Sequence, residues 1–250
     1  MVEFRREPIE WYADKIDRGE LFINLVYGDG EFQVAMGNPV GSRFTHYNEY
    51  ITSQISGEMA HSLDITGEHI IKATDSSLIN YMDYHGGDKE SIRSAGRKIG
   101  AFLAGRKITW YDGTVWDWAS RSGNLGPLLK ALKKRNTILV GSPEFGSWGI
   151  FPVVPIPREN AVASLDEIEE RILEKWGYSG EGRVVLLCMG IGAIPLAMRL
   201  MVLPGITVLD LGSSLDIFVG LGAERGWREE IYRDPTRLKQ VIDKHMGGVC

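Results

Sequence analysis

The stretch from Arg183 to Asp216 constrains the fold more than any other. RVVLLCMG is a continuous apolar run, GIGAIPLAMRLM is a glycine-rich turn opening a helix, and ITVLDLGSSLD is a second apolar run ending in an acid and small residues. Apolar runs without alternation suit strands buried on both faces, and two of them joined through a helix make a βαβ unit with parallel strands. Other segments repeat the theme. Leu21–Tyr27, HIIKATD (69–75) and NTILVGSPEF (136–145) read as strands. EYITSQISGEMAHSL, residues 88–107, a segment from about Gly126, and SLDEIEERILEKWGY read as helices, the last with Ser164 and Glu167 at capping-box spacing. GNPVGSRFTHYN (37–48) reads as a loop and FPVVPIPREN as extended chain. Strands alternating with helices predict one α/β domain over residues 1–250, a mostly parallel sheet flanked by helices, with residues 221–250 as a C-terminal helical extension.

Composition narrows the function. A chain of 250 residues, 44% hydrophobic, can bury a sizeable core. Its net charge of −5 supplies no general basic field for nucleic acid or anionic membrane. The two cysteines, Cys188 in an apolar run and Cys250 at the end, argue against a disulfide framework and a cysteine zinc site. No histidines stand at metal-ligand spacing; His61 and His85 read as ordinary helix and loop residues. The charged N-terminus lacks an apolar signal core, and the run from Val184 to Met198 is too short, and too broken by Pro195 and glycines, to span a bilayer. The expectation is a soluble cytoplasmic protein, with room for a homo-oligomer.

In an open α/β sheet, ligands bind at the carboxyl ends of the strands. Here those ends carry Gly28-Asp29-Gly30-Glu31, Thr74-Asp75, Ser142-Pro143-Glu144, Gly190-Ile191-Gly192-Ala193, and Asp210 to Ser213. Asp29 and Glu31 present two hard carboxylates, which share a side if the strand continues or if a glycine turn folds them together. Such a pair suits Mg²⁺ or Mn²⁺, with the remaining ligands taken from phosphate and water. The same Asp-Gly also reads as a hairpin turn. Gly190, Gly192 and Ala193 either let a phosphate approach a helix start or simply pack helix on strand. Asp75 serves equally as an acceptor base or as the N-cap of the next helix. Ser142 and Ser213 could touch a donor, or belong to loop and capping chemistry. Asp210 ends a core strand and is a candidate ribose, sugar or base contact. Arg43 and His46 could grip phosphate. Trp110, Tyr111, Trp116 and Trp118 could stack on a sugar or base, or fill the core.

LFINLVYGDGEF resembles the apolar strand and DXE motif of the GT-D type glycosyltransferases, a family with a single Rossmann-like domain. Three further stretches resemble that family in the same order: NLGPLLKALKKRNTILVGSPEF (124–145), RVVLLCMGIGAIPLAMRL and ITVLDLGSSLDIFVG. The likeness covers most of residues 20–220. It implies a GT-D-like fold and transfer of a hexose, glucose foremost, from a UDP-sugar. It implies Mn²⁺ or Mg²⁺ held by Asp29 and Glu31, with Gly28, Gly30, Ser142, Gly190, Gly192, Ala193, Asp210 and Ser213 on the donor side. The acceptor would be a glycan, a glycoprotein or a hydroxymethylated DNA base. The last would need a local basic groove, for which Arg43, Lys72, Arg93, Arg97, Lys98, Arg106 and Lys107 are available. The loop after the motif and the tail after Gly220 have no counterpart in the likeness.

Two other classes fit parts of the chain. VLDLGSS has the acid-then-glycine strand end of methyltransferases that use S-adenosylmethionine, but Ser213, Ser214, Leu215 and Asp216 stand where that loop wants glycines. A non-catalytic nucleotide-binding module would use the basic, tryptophan-rich middle to hold a partner.

Overall fold

The computed structural model describes residues 4–38, 53–80, 89–158, 160–176, 182–222 and 227–247. Within them runs one eight-stranded sheet: β1 (Phe4–Arg5), β2 (Ile23–Tyr27), β3 (Ile70–Thr74), β4 (Trp110–Asp112), β5 (Asn136–Gly141), β6 (Val153–Pro155), β7 (Arg183–Cys188) and β8 (Ile206–Asp210). The spatial order is β1-β4-β3-β2-β8-β7-β5-β6, and every pairing is parallel. The chain steps outward from β2 to β3 and β4. It then restarts beyond β8 and works back through β7. The direction of winding therefore reverses between β2 and β8, where an open sheet leaves a crevice at its carboxyl edge.

The central strands are buried on both faces, and their side chains sort by the two-residue period. From β7, Val184 and Leu186 join one apolar layer while Val185 and Leu187 join the other. The first layer is roofed by α1 (Ile9–Arg18), which contributes Tyr12, Ala13 and Ile16, and by two helices that come later in the chain. The second is roofed by α2 (Asp29–Ala35) and α3 (Ser53–Ser62), among others. Burying each of these leucines or isoleucines is worth about 1.5–3 kcal/mol before entropy is counted.

Further helices complete the layers: α4 (Ser76–Asn80), α5 (Lys89–Leu103), α6 (Thr114–Ser122), α7 (Gly126–Lys133), α8 (Phe145–Trp148), α9 (Leu165–Trp176) and α10 (Ala193–Leu200). α6 and α7 lie with α1; α9 and α10 lie with α2 and α3. Ser164 does not open α9 from extended chain; it ends a 3-10 turn, Ala161–Ser164, that runs into the helix. After residue 226 come α11 (Trp227–Tyr232) and α12 (Pro235–Met246). α12 starts sharply because Pro235 follows Asp234, whose carboxylate accepts from the Thr236 and Arg237 N–H groups. It is tied back to the body through buried His245. Its Nδ1 accepts from the Leu125 N–H at 3.1 Å, and its Nε2 meets the Ser120 carbonyl at 2.9 Å. Burial lowers this imidazole to about 4, so it stays neutral and can do both. Among the described residues no helix is long and apolar enough to cross a membrane.

Candidate functional site

The β2–β8 ladder is short, pairing Ile23 with Val208 and Asn24 with Leu209. Past it, side chains bridge the two strands. Buried Asn24 donates through Nδ2 to the Asp210 carbonyl at 3.0 Å. The Asp210 carboxylate accepts from the Val26 N–H at 3.3 Å and from the Gly212 N–H at 3.0 Å. Asp210 is 4% exposed. Burial pushes it up to about 8, against the Gly212 N–H, and the nearby charge of Glu31 adds to the rise. The carboxylate thus braces the mouth of the crevice.

β2 does not turn back in a hairpin, nor does it continue past Gly28. Gly28 is extended and becomes the N-cap of α2, so Asp29 and Glu31 lie in a helical first turn. At about 100° per residue, positions i and i+2 diverge on a helix. The two carboxylates therefore do not share a face, as strand continuation would have required. Glu31 is at N3 and its Oε2 folds back to accept the Gly28 N–H at 2.9 Å, which is half of a capping box. Asp29 is exposed and Glu31 half-buried. Burial raises Glu31, its own and the Gly28 N–H groups oppose this, and Asp29 adds repulsion. Tyr27, just before the turn, is wholly core. Its hydroxyl bonds Ser62 Oγ at 2.7 Å, and its ring packs on Phe32 and Trp110.

Among the described residues, no three His, Cys, Asp or Glu side chains gather into a metal cage. The chemistry left is that of a partial site. A carboxylate has about four lone-pair positions, so the backbone bonds to Glu31 leave capacity for a cation. The repulsion that exposed Asp29 exerts on half-buried Glu31 is what a divalent ion would relieve. By donor type these carboxylates suit Mg²⁺ or Mn²⁺ that takes its other ligands from phosphate and water, although they leave the first turn of α2 in different directions.

The remaining strand ends divide. Gly190 is exposed with φ +60 and begins a 3-10 turn that leads into α10 at buried Ala193. A Cβ on Gly192 would come within 2.7 Å of Met189 Cε, so this glycine serves close packing. Ser142 donates to Glu144, which also pairs with Arg158. The carboxylate of Asp75 accepts from the Ser77 N–H at 2.8 Å and caps α4. Ser213 caps no helix, since the next 3-10 turn starts at Asp216 behind Leu215. Its hydroxyl and carbonyl take bonds from Arg228 at 2.8 and 2.7 Å. Arg228 is buried, lies within 3.7 Å of Asp216, and ties the tail to the loop after β8. Nothing in the local sequence marks that residue.

Lys72 leaves the proposed basic groove. It is buried, donates to the Leu63 carbonyl at 2.5 Å, and is lowered by burial to about 8. Arg106 is engaged by Asp64. Arg43, His46 and His85 lie outside the described residues. Of the aromatic cluster, Trp110 and Trp116 are core and Tyr111 stacks on Trp11, whereas Trp118 is 68% exposed. A strand-end acid to which sequence reasoning gave no role is Asp112. It ends β4 in the same lateral row as Thr74 and Tyr27, and WYDG carries the strand-then-acid signal seen elsewhere.

No family model and no curated protein matches the chain. Solved structures do. Two structures of the domain of unknown function 1792, one of them selenomethionine-substituted, superpose with TM-scores of 0.63 and 0.62 at 18% identity. Each covers 92% of this chain and 82% of its own. The second is described as highly conserved, with a distinct glycosyltransferase fold. A third, described as a new glycosyltransferase (DUF1792) from Streptococcus sanguinis, gives a TM-score of 0.60 at 16% identity over 86% of this chain and 85% of that one. The chain shares the α/β fold of those domains, built on one parallel sheet with helices on both faces.

Proposed function

We propose that this chain is a metal-dependent glycosyltransferase of the GT-D type that moves a hexose, glucose foremost, from a UDP-sugar to a hydroxyl acceptor. The observation that carries the reading is the position of Asp29 and Glu31. They follow the strand at which winding reverses, beside the Asp210-braced crevice, in a chain with the fold of a described glycosyltransferase.

Asp29 and Glu31 would hold Mn²⁺ or Mg²⁺, which when bound offsets the charge of a departing nucleoside diphosphate. Gly28 and Gly30 keep side chains away from that group. Glu31 is pre-set by its bond to Gly28 N–H, so little rotamer freedom is lost on binding. Asp210 acts through the crevice shape, since it is 4% exposed and its carboxylate holds the Val26 and Gly212 N–H groups. Exposed Gly190, with the turn to Ala193, supplies backbone on the far side of β8 for phosphate. Ser213, held by Arg228, keeps the loop after β8 in place. Asp75 is the nearest strand-end acid on the β3 side and the candidate to accept the acceptor's proton. A glycan or glycoprotein acceptor is favoured over a DNA base, because burial removes Lys72 from any basic groove.

Calorimetric titration with UDP-glucose and with UDP, in Mn²⁺ and in chelator, tests the reading. Metal-dependent binding, lost in Asp29→Ala, is the expected result. Equal binding in chelator, or undiminished binding by Asp29→Ala, sinks the assignment of the metal to this pair.

A further inference from the structure

A cavity of about 310 Å³ opens on the same carboxyl edge of the sheet, at the ends of β1 and β4. Arg6, Glu7, Asp112, Thr114, Val115 and Trp118 contribute to its lining. Its size is at the lower end of small-molecule sites, about 300–1,000 Å³. Its walls are the starts of α1 and α6, the end of β4 and the short β1–α1 connection.

The lining has a mixed and informative chemistry. Trp118 is 68% exposed and, among the described residues, is the only large aromatic left so open. Trp116, two positions earlier on α6, is 2% exposed. The helix therefore aims one indole into the core and offers the other to solvent. Asp112 is pre-oriented, because its Oδ1 accepts from the Thr114 N–H at 3.0 Å and from the Thr114 hydroxyl at 2.6 Å. Its Oδ2 lies 3.7 Å from the Nε of exposed Arg6, a loose pair that a ligand hydroxyl can enter. Glu7 supplies a second carboxylate. A phosphate would want an excess of cations, whereas the lining sets Glu7, Glu10 and Asp112 against Arg6. An indole face beside paired acceptors and a donor matches a neutral ring with a C–H face and a rim of hydroxyls. That is a sugar.

Position supplies the second line of support. Tyr27 pairs with Thr74 and Thr74 with Asp112, so all three stand in one row across the sheet. Asp112 is thus two strand spacings, roughly 10 Å, from the residue that precedes Gly28-Asp29. A ring held there lies within one or two sugar lengths of a donor at Asp29.

We infer that this cavity is a carbohydrate subsite, in which Trp118 stacks on a ring of the acceptor while Asp112 and Glu7 bind its hydroxyls. The assignment of that ring to the acceptor rests on the glycosyltransferase reading; the carbohydrate site itself does not.

The test is saturation-transfer NMR of the full chain with methyl glucosides, methyl galactosides and methyl N-acetylglucosaminides, on wild type, Trp118→Ala and Trp118→Tyr. Titration of each protein with UDP and Mn²⁺ runs in parallel. At least one saccharide should bind, weaken by about tenfold in Trp118→Ala, and recover in Trp118→Tyr, which keeps a stacking face. UDP binding in the same samples should not follow Trp118. If saccharide binding is equal in Trp118→Ala, or if none of these saccharides binds, the inference is overturned. A saccharide that binds through Trp118 in a protein that ignores UDP would keep the site and sink the glycosyltransferase reading instead.

Discussion

Two neighbouring strands, β2 and β8, each lead into an aspartate at the same crevice, and the two carboxylates have opposite surroundings. Asp29 is exposed on the first turn of α2. Asp210 is 4% exposed and its two oxygens accept from the N–H groups of Val26 in β2 and Gly212 in the loop after β8. Similar residues at similar places therefore do different work. In the proposed function the exposed acid keeps its lone pairs for a ligand. The buried one closes the gap where the β2–β8 ladder stops and fixes the shape in which the first can act. On the proposed reading, burial decides whether an acid at a strand end is a ligand or a brace.

The largest effect that separates them concerns Asp29. Asp29→Ala should lower transfer and metal-dependent nucleotide binding by about 100-fold or more, because a ligand to the cation is lost outright. Its stability should change by no more than about 0.5 kcal/mol, as for other exposed sites. Asp210→Ala should do the reverse in order of size. It strands the Val26 and Gly212 N–H groups and costs about 1–3 kcal/mol of stability for each donor that water cannot reach. Its activity should fall only through a loosened crevice. Thermal unfolding and titration of both variants decide the matter. If the two behave alike, the division into ligand and brace is wrong.

Asp210 also carries a pH signature that Asp29→Ala would leave in place. The folded chain raises this carboxyl from 3.8 to about 8, so it binds a proton more tightly folded than unfolded. The stability it contributes is complete below about pH 4 and is lost as pH rises through 8. Denaturant unfolding at pH 5 and at pH 8 should show this decline in the wild type. Asp210→Asn, which cannot ionise, should show a smaller one. An unchanged slope in the asparagine variant would mean that the carboxyl is not the titrating group.

Much of the arrangement could be read from the chain because the central strands are buried on both faces. Such strands must be apolar throughout, so β2, β3, β5, β7 and β8 announce themselves. β1, β4 and β6 have two or three residues each, too few to show a period, and they add to the sheet at its flanks. The acid pair was visible too, but not its geometry. Asp-Gly between apolar runs imitates a hairpin; the contrary signal was Glu31 three residues after Gly28, the spacing of an N-cap and its N3 partner. Lys72 misled in another way. A lysine in a strand reads as surface, whereas here the apolar stem packs inside and the ammonium finds the Leu63 carbonyl. Arg228 could not have been foreseen at all. It meets Ser213 from 15 positions away, through a tail whose packing only the folded chain defines.

The finest test of the comparison is Gly28→Ala. Gly28 has φ −93, which alanine also adopts, so the backbone is not strained by the change. The added Cβ would instead lie 2.8 Å from Glu31 Oε2. The carboxylate must swing, and the bond to the Gly28 N–H weakens. As a loss of part of one cap this should cost about 1 kcal/mol or less, or a drop of some 2–4 °C in melting temperature. The informative measurement is Mn²⁺ affinity in the presence of UDP. If Glu31 both caps the helix and binds the cation, the two losses appear together, because one group serves both. If Glu31 is a brace like Asp210, the melting temperature falls while the cation binds as before. Asp29 would then be the one member of the pair on the metal, a ligand beside a cap.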